Sequence, residues 1–376
     1  MSIYLDYNAS APVRPEAVEA ITRALALGGN PSSIHAAGRA ARALVEQARE
    51  DVAALIGGPA STVVFTGGGT EANGLAIDSA IATGARRLIV AAIEHESVLE
   101  TARASGLPIE FLPVGADGVA DLAWLAARLQ AWDPADGKPF VALMAANNET
   151  GVIQPVREAS EIVRAADGWL HVDAVQAGGK IMTDSRVLGA DTLAVSAHKL
   201  GGPQGVGALT FGPRATLVRR QHGGGQERGR RAGTENVAGI AGFGAAARAA
   251  LRDSNDNRAW RDAAAERLKA HGAQVIAESA PRLPNTLCVA APGHAADLQV
   301  MGLDLAGVMV SAGSACSSGK VKVSHVLAAM GLDDLAGCSI RVSGGWASTE
   351  ADWRAFSDAW IDNHTRHQAR RRAPAA

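Results

Sequence analysis

Short apolar runs that alternate with segments of helical period are the feature that most limits how this chain can fold. Helical spacing of apolar residues is found, for example, over Gly38–Leu55 and Val156–Ala165. The intervening runs that resemble strands are Thr62–Phe65, Arg87–Ala91, Phe140–Ala145, Leu170–Val172 and Thr192–Val195. Alternation of this kind predicts an α/β protein with a mostly parallel sheet.

Polar clusters follow nearly all of these strand-like runs. They are Thr66-Gly67-Gly68-Gly69-Thr70, Glu94-His95-Glu96, Asn147-Asn148-Glu149, Asp173 and Ser196-Ala197-His198-Lys199. Ligands of parallel sheets bind beyond the carboxyl ends of the strands. We therefore expect one site that is assembled from several strand ends.

The length of the chain predicts a second domain. Its 376 residues exceed the roughly 250–300 residues that one hydrophobic core usually serves. After a polar stretch that begins at Asp253, the pattern changes to a charged helix, short strands and a long terminal helix. These segments are Arg258–His271, Thr286–Ala290, Leu298–Leu303, Ser339–Val342 and the residues from Thr349 onward.

Charge and cysteine content restrict the partners and the compartment. Lys and Arg number 36 against 38 Asp and Glu, so nothing favours nucleic acid or an anionic membrane as the main partner. Cys288, Cys316 and Cys338 form neither a disulfide framework nor a C-x-x-C pair. The start of the sequence has no signal-peptide pattern and no apolar run is long enough to span a bilayer. We expect a cytoplasmic protein that acts on a small substrate.

The glycine-rich segment that ends in Gly69 and Thr70 follows one strand and opens a helix. Backbone N–H groups at such a helix start can bind a phosphate. A plain strand-to-helix turn with Thr70 as N-cap explains the same residues, because no complete nucleotide-binding motif is present. Both interpretations remain open at this point.

Lys199 and Asp173 each end a strand-like run. A lysine between a histidine and a glycine-rich turn can form a Schiff base, although a surface lysine is the commoner outcome. A buried carboxylate needs a cationic partner, and the protonated nitrogen of a pyridine-type cofactor would supply one. His171-Val172-Asp173 could instead belong to a metal site or simply close the strand.

Three further residues are candidates for chemistry. His95 could lie against an aromatic cofactor or transfer protons, or it could be held at a helix start by its flanking carboxylates. Cys316 lies in a run of small residues that is typical of an exposed, reactive thiol, whereas Cys288 and Cys338 lie in apolar segments typical of a core. Arg341 could bind a substrate carboxylate or form a salt bridge to a nearby acid.

Taken in order, the motifs resemble cysteine desulfurases of the NifS and IscS type, which are class V members of the fold-type I pyridoxal-phosphate enzymes. The likeness runs nearly end to end. Its motifs include Tyr4-Leu5-Asp6-Tyr7-Asn8-Ala9, Asn147-Asn148-Glu149-Thr150-Gly151, His171-Val172-Asp173-Ala174-Val175-Gln176, Ser196-Ala197-His198-Lys199, Arg231-Ala232-Gly233-Thr234 and Ser314-Ala315-Cys316. Ser10 and Ala11 depart from the two threonines that are common in the family.

The resemblance implies an aspartate aminotransferase-like fold with a mostly parallel seven-stranded sheet in a large domain and a smaller α+β domain. The large domain would span 12–253, and the small domain would combine 1–11 with 254–376. Pyridoxal phosphate would be bound by Lys199, Asp173, Gln176 and a stacked His95. Its other binding residues would be Gly69, Thr70, Asn148, Ser196, His198 and, from the second subunit of a homodimer, Thr234.

The same resemblance implies conversion of L-cysteine to L-alanine, with Asn148 and Arg341 on the substrate carboxylate and Cys316 as the sulfur acceptor. An iron–sulfur scaffold or another sulfur-acceptor protein would receive the sulfur. A selenocysteine lyase or another class V aminotransferase is the alternative within the family. A catalytically silent binding partner is a third possibility, against which the intact set of Lys199, Asp173, His95 and Cys316 argues.

Overall fold

The computed structural model describes residues 2–253, 256–313 and 323–372. The strands are β1 (Ile3–Tyr4), β2 (Val63–Thr66), β3 (Leu88–Ala91), β4 (Ile109–Leu112), β5 (Phe140–Ala142), β6 (Trp169–Asp173), β7 (Thr192–Ser196), β8 (Gly207–Phe211), β9 (Gln274–Val275), β10 (Thr286–Ala290), β11 (Val308–Met309), β12 (Ser311–Ala312) and β13 (Ser339–Ser343).

The helices alternate with the strands through the first two thirds of the chain. They are α1 (Pro15–Leu27), α2 (Ala36–Ile56), α3 (Gly69–Ala82), α4 (Glu96–Ala104), α5 (Leu122–Gln130), α6 (Val156–Ala165), α7 (Ser185–Leu188), α8 (Val237–Arg252), α9 (Arg258–Lys269), α10 (Ala296–Leu305), α11 (His325–Ala329), α12 (Asp333–Ala336) and α13 (Glu350–Arg372). No helix among the described residues is long and apolar enough to cross a membrane.

The central sheet has seven strands in the order β2-β8-β7-β6-β5-β3-β4. Five strands run parallel from β7 to β4, and only β8 is antiparallel to its neighbours β2 and β7. Every residue of β2, β3, β5, β6 and β7 is buried, as expected when helices cover both faces of a sheet. The predicted mostly parallel α/β sheet is therefore confirmed.

Alternate residues of each central strand contribute to different hydrophobic clusters. In β3, Ile89 packs with Val52 and Ile56, whereas Leu88 and Val90 pack with Ile77. This is the period of two that a strand gives when both of its faces are buried. The strands are thereby fixed in register, and Asp173 at the end of β6 lies opposite Ala194 in β7.

A second, antiparallel sheet in the order β12-β13-β10-β9 lies in the C-terminal part of the chain. The N-terminus joins this part, because β1 pairs in parallel with β11 through Ile3 and Val308. Leu5 is buried in the same cluster as Trp353 and Trp360 of α13. The division into domains at 11 and 253 remains a prediction, although this pairing agrees with the placement of residues 1–11.

Candidate active site

A cavity of about 330 Å³ lies at the carboxyl edge of the central sheet. Ten of the site residues that the sequence predicted line it: Gly69, Thr70, His95, Asn148, Asp173, Gln176, Ser196, His198, Lys199 and Arg341. Thr234 is exposed and does not line this cavity. Cys316 lies outside the described residues. The expectation of one site built from several strand ends is thus matched by the geometry.

Lys199 follows β7 in a single turn of 3-10 helix over Ala197–Lys199. Its Nζ donates to the backbone carbonyl oxygens of Asn8, at 2.6 Å, and Ala9, at 2.9 Å. The N-terminal segment after β1 therefore holds the amine inside the cavity. Both of these acceptors are neutral carbonyl oxygens.

Asp173 is the last residue of β6 and is only 6% exposed. Its Oδ2 accepts a hydrogen bond from Asn73 Nδ2 at 2.7 Å, and its Oδ1 accepts one from the Val175 N–H at 2.9 Å. Among the described residues, no Lys, Arg or His nitrogen forms an ion pair with it. A buried carboxylate that faces a cavity without a cation is suited to a ligand that brings a positive charge.

His171, also in β6, orients Asn73 behind the cavity. Its Nε2 lies 3.0 Å from Asn73 Oδ1, and its Nδ1 lies 3.0 Å from the Thr192 hydroxyl. Because an amide oxygen only accepts, Nε2 is the donor and Nδ1 accepts from Thr192. Burial lowers the pKa of His171 to about 3, so the ring is neutral. Both nitrogens have protein partners, which argues against the metal-site interpretation of His171-Val172-Asp173.

His95 is the N-cap of α4, and its Nδ1 accepts a hydrogen bond from the Ser97 N–H at 3.0 Å. A neutral ring in this arrangement carries its proton on Nε2. Burial lowers the pKa of His95, with Lys199 acting in the same direction and Asp173 opposing both. The site thus contains a neutral imidazole whose donor is not used by the cap.

The start of α3 has the features of an anion-binding site. The N-cap is Gly68 and the helix begins at Gly69, so the alternative with Thr70 as N-cap is wrong. A Cβ on Gly69 would lie 2.8 Å from Val175 Cγ2, so a side chain does not fit there. The first backbone N–H groups of a helix have no partner within it and attract anions. Ser196 and His198 lie beside them on the same opening.

His198 contributes to this anion-binding end as a neutral group. Its pKa is lowered to about 4, first by burial and then by the nearby positive groups of Lys199 and Lys180. Its Nδ1 lies 3.3 Å from the Ser10 hydroxyl oxygen. A neutral imidazole can donate one hydrogen bond to a phosphate oxygen without adding charge.

Arg341 in β13 forms a salt bridge to a nearby acid, which is one of the two interpretations that the sequence allowed. Its Nη2 forms an ion pair with Asp6 Oδ1 at 2.8 Å, and its Nη1 donates to the Asn148 carbonyl oxygen at 3.3 Å. Its Nε is buried and has no hydrogen-bond partner among the described residues. The guanidinium is therefore oriented by a protein carboxylate and a backbone carbonyl beside the cavity that it lines.

Asn8, Asn73 and Lys180 are functional candidates that the sequence did not identify. Asn8 is 1% exposed and lines the cavity beside Lys199. It lies in the Tyr4–Ala9 motif. The motif contributed to the family resemblance, but it did not indicate which residues the asparagine contacts. Asn73 lies one turn inside α3 and Lys180 lies in the turn after β6, and polar residues in such positions normally face solvent.

A mostly parallel seven-stranded sheet with this set of side chains at its carboxyl edge defines a fold-type I pyridoxal-phosphate enzyme. The sequence profile described as Aminotransferase class-V matches residues 3–356. The chain therefore belongs to the class V aminotransferase family, and within it to the cysteine desulfurases, as the following relatives show. This family depends on pyridoxal phosphate.

Two curated relatives are named cysteine desulfurases. The protein named cysteine desulfurase IscS from Dictyoglomus turgidum is 38% identical over 364 residues, which cover 93% of this chain and 91% of the relative. A cysteine desulfurase from Cereibacter sphaeroides is 41% identical over 339 residues, with 87% and 86% covered. The solved structure of a NifS-like protein from Rickettsia africae has a TM-score of 0.88 at 32% identity and covers 97% of this chain and 100% of that one.

Proposed function

We propose that this enzyme binds pyridoxal phosphate through Lys199 and converts L-cysteine to L-alanine, with Cys316 receiving the sulfur as a persulfide. The observation that carries the proposal is the buried carboxylate of Asp173, which shares a cavity with the Lys199 amine and has no cationic partner among the described residues. A protonated pyridine nitrogen satisfies this carboxylate, and an aldehyde carbon is the natural partner of the amine.

The remaining cavity residues fit the other parts of the cofactor. Gln176 would donate to the ring oxygen, and His95 would lie against the ring face. The phosphate would be bound by the start of α3 with Gly69 and Thr70, and by Ser196 and His198. Thr234 is exposed, which is compatible with a contribution to the phosphate site of a second copy, and a homodimer is part of the proposal.

When bound, the cofactor supplies an electron sink for the α-carbon of an amino acid. Asn148 and Arg341 bind the substrate carboxylate, since both line the cavity. The Lys199 amine removes the α-proton and can return it, since the carbonyl oxygens of Asn8 and Ala9 hold it in the cavity. The neutral His95 presents an Nε2 proton donor to the same space.

Cys316 is assigned by its position in the sequence. Its thiolate attacks the substrate sulfur, the substrate carbon–sulfur bond breaks, and a sulfur–sulfur bond forms on the enzyme. The substrate carbon gains a proton, so that one L-cysteine and one thiol give one L-alanine and one persulfide. An iron–sulfur scaffold or another sulfur-acceptor protein would then take the sulfur.

A cytoplasmic location is also proposed, in keeping with the few, unpaired cysteines.

One assay with matched variants tests this proposal. The purified protein is mixed with L-cysteine and a reductant while the visible spectrum is recorded and alanine and sulfide are quantified together. We expect a coloured protein that forms both products in equal amounts, a Cys316→Ala variant that keeps the colour but forms no persulfide, and a Cys288→Ala control that behaves like the parent. A colourless protein without product, or pyruvate with amino transfer, would contradict the proposal.

A further inference from the structure

Lys180 is a second lysine at the active centre, on the opposite side of Asn8 from Lys199. Its Nζ donates to Asn8 Oδ1 at 3.1 Å and to Gln176 Oε1 at 2.9 Å. Both acceptors are uncharged amides, and within the described ranges no carboxylate forms an ion pair with this lysine. A lysine amine that is withdrawn from solvent without a charged partner is costly, so its retention calls for a role.

The surroundings of Lys180 disfavour its charge. Burial lowers its pKa well below the usual value, and Lys199 and Arg341 act in the same direction. Lys180 lines a neighbouring cavity of about 240 Å³, which it shares with Lys199. Arg14, Asp253, Asp256 and Arg258 also line that cavity. The amine itself is directed at the two amides that lie between this cavity and the active site.

These two contacts decide how both amides are oriented. A neutral lysine amine still has two N–H donors, and both are used in these contacts, so an oxygen of each amide faces Lys180. The Gln176 Nε2 is thereby turned to the Asn8 carbonyl oxygen, at 2.9 Å, on the side of the active-site cavity. The Asn8 Nδ2 is likewise turned to Thr286 Oγ1, at 2.9 Å, and to the Asn148 carbonyl oxygen, at 3.2 Å.

Asn8 transmits this orientation to the reacting groups. Its carbonyl oxygen accepts hydrogen bonds from both Lys199 Nζ and Gln176 Nε2, while its side chain joins Lys180 to Asn148. Asn148 in turn accepts from Arg341. One buried amine is therefore connected, through a single asparagine, to the residues proposed for cofactor and substrate.

We infer that Lys180 is a positioning residue for the reaction. It acts through Asn8 and Gln176, and it holds the Gln176 amide with its N–H groups toward the active-site cavity. The inference rests on the proposed function, because the Gln176 N–H has a ligand to meet only if the cofactor is bound there. Lys180 touches neither cofactor nor substrate in this scheme. Its effect must therefore depend on Gln176.

A double-mutant cycle between Lys180 and Gln176 tests this dependence. The variants are Lys180→Met, Gln176→Ala and the double variant, with Lys138→Met as control, since Lys138 only forms a 3.7 Å pair with the exposed Asp167. The measurements are the absorption maximum of the bound cofactor and kcat and KM for L-cysteine. Each single variant should shift the absorption maximum and lower kcat by up to about 100-fold, as misplacement of a reacting group can.

The double variant should be no worse than the worse of the two single variants, because both changes remove one interaction. Lys180→Arg, which keeps donors and has the adjacent cavity to fill, should restore the absorption maximum toward that of the parent. Additive losses in the cycle, or a Lys180→Met spectrum and kcat equal to those of the parent, would overturn the inference. If Lys180→Met does not fold, Lys180→Gln, whose shorter side chain cannot reach both amides, takes its place in the cycle.

Failure of the proposed function would look different. In that case the unmodified protein would show no cofactor absorption and form no alanine. A coloured, active parent whose Lys180 variants are unaffected would contradict the role of Lys180 alone.

Discussion

Asp6 and Arg341 form an ion pair of 2.8 Å between Oδ1 and Nη2, although 335 positions separate them in the chain. The Ser311 hydroxyl donates to the other oxygen of Asp6 at 2.7 Å. The guanidinium is consequently oriented before any substrate arrives. This pre-orientation reduces the entropy that a substrate carboxylate would otherwise have to offset on binding.

Replacing Arg341 with Lys should weaken substrate binding more than cofactor binding. A lysine cannot make the planar, multidentate contacts that Asp6, Asn148 and a ligand carboxylate require together. The loss of a charge-assisted hydrogen bond of about 1.5–3 kcal/mol corresponds to a KM for L-cysteine that is roughly 10- to 100-fold higher. Steady-state kinetics of the Arg341→Lys variant measure this KM, and an unchanged value would contradict a role of Arg341 in substrate binding.

Replacing Asn73 with Ala should weaken cofactor binding, although Asn73 is not one of the residues proposed to contact the cofactor. Asn73 accepts from His171 Nε2 and donates to Asp173 Oδ2, so its loss removes the partner of each of these two atoms. A buried polar group that is left without a hydrogen bond costs about 1–3 kcal/mol, and we expect part of this cost to weaken the binding of pyridoxal phosphate. Absorbance titration of the apoprotein with pyridoxal phosphate measures the resulting increase in the dissociation constant. Thr101→Ala, which removes only a hydroxyl bonded to its own helix, is the matched control.

The local sequence predicted the central elements well because their residues are buried on a regular period. The helix over Val156–Ala165 and the strand over Thr286–Ala290 have the predicted bounds, and the strand-end rule placed the polar clusters around one cavity. The antiparallel β8 was missed, since its short run Gly207–Phe211 lies in a glycine-rich stretch without a clear period. Core placement of Cys288 and Cys338 is confirmed by their burial.

The contacts that tune the site could not be predicted in the same way. Lys199 meets the Asn8 carbonyl across 191 positions, and Arg341 meets Asp6 across 335. Such pairs depend on how β1 pairs with β11 and brings the N-terminal segment to the sheet edge. No periodicity within a short window contains that information, so only the type of each residue could suggest its role.

Acid should destabilise the fold partly through His171. Its pKa is about 3 when folded and near 6.5 when exposed, so the unfolded chain binds more protons between these values. The free energy of unfolding therefore falls as the pH drops from 6.5 toward 3, by up to about 1.4 kcal/mol per pH unit from this residue. Urea unfolding at pH 7 and pH 4.5 should show a smaller difference for His171→Gln than for the parent. An equal difference would contradict the assignment.

The three cysteines should differ in reactivity in the folded protein. Burial raises the pKa of the Cys288 thiol to about 12 and also raises the pKa of Cys338, so neither forms much thiolate near pH 8. Native iodoacetamide labelling at pH 8 should leave both unmodified, whereas labelling in denaturant should modify them, as mass spectrometry of the peptides can show.

Protection of Cys288 and Cys338 would leave Cys316 as the thiol available for the proposed sulfur transfer. A Cys288→Ala, Cys338→Ala double variant should still acquire one persulfide per chain after exposure to L-cysteine, because both residues lie in the core and away from the cavity lining. The Cys316→Ala variant should acquire none while its cofactor spectrum still responds to L-cysteine. Persulfide on Cys288 in the folded protein would show that burial does not protect it. Persulfide formation without Cys316 would show that sulfur leaves the substrate by another route.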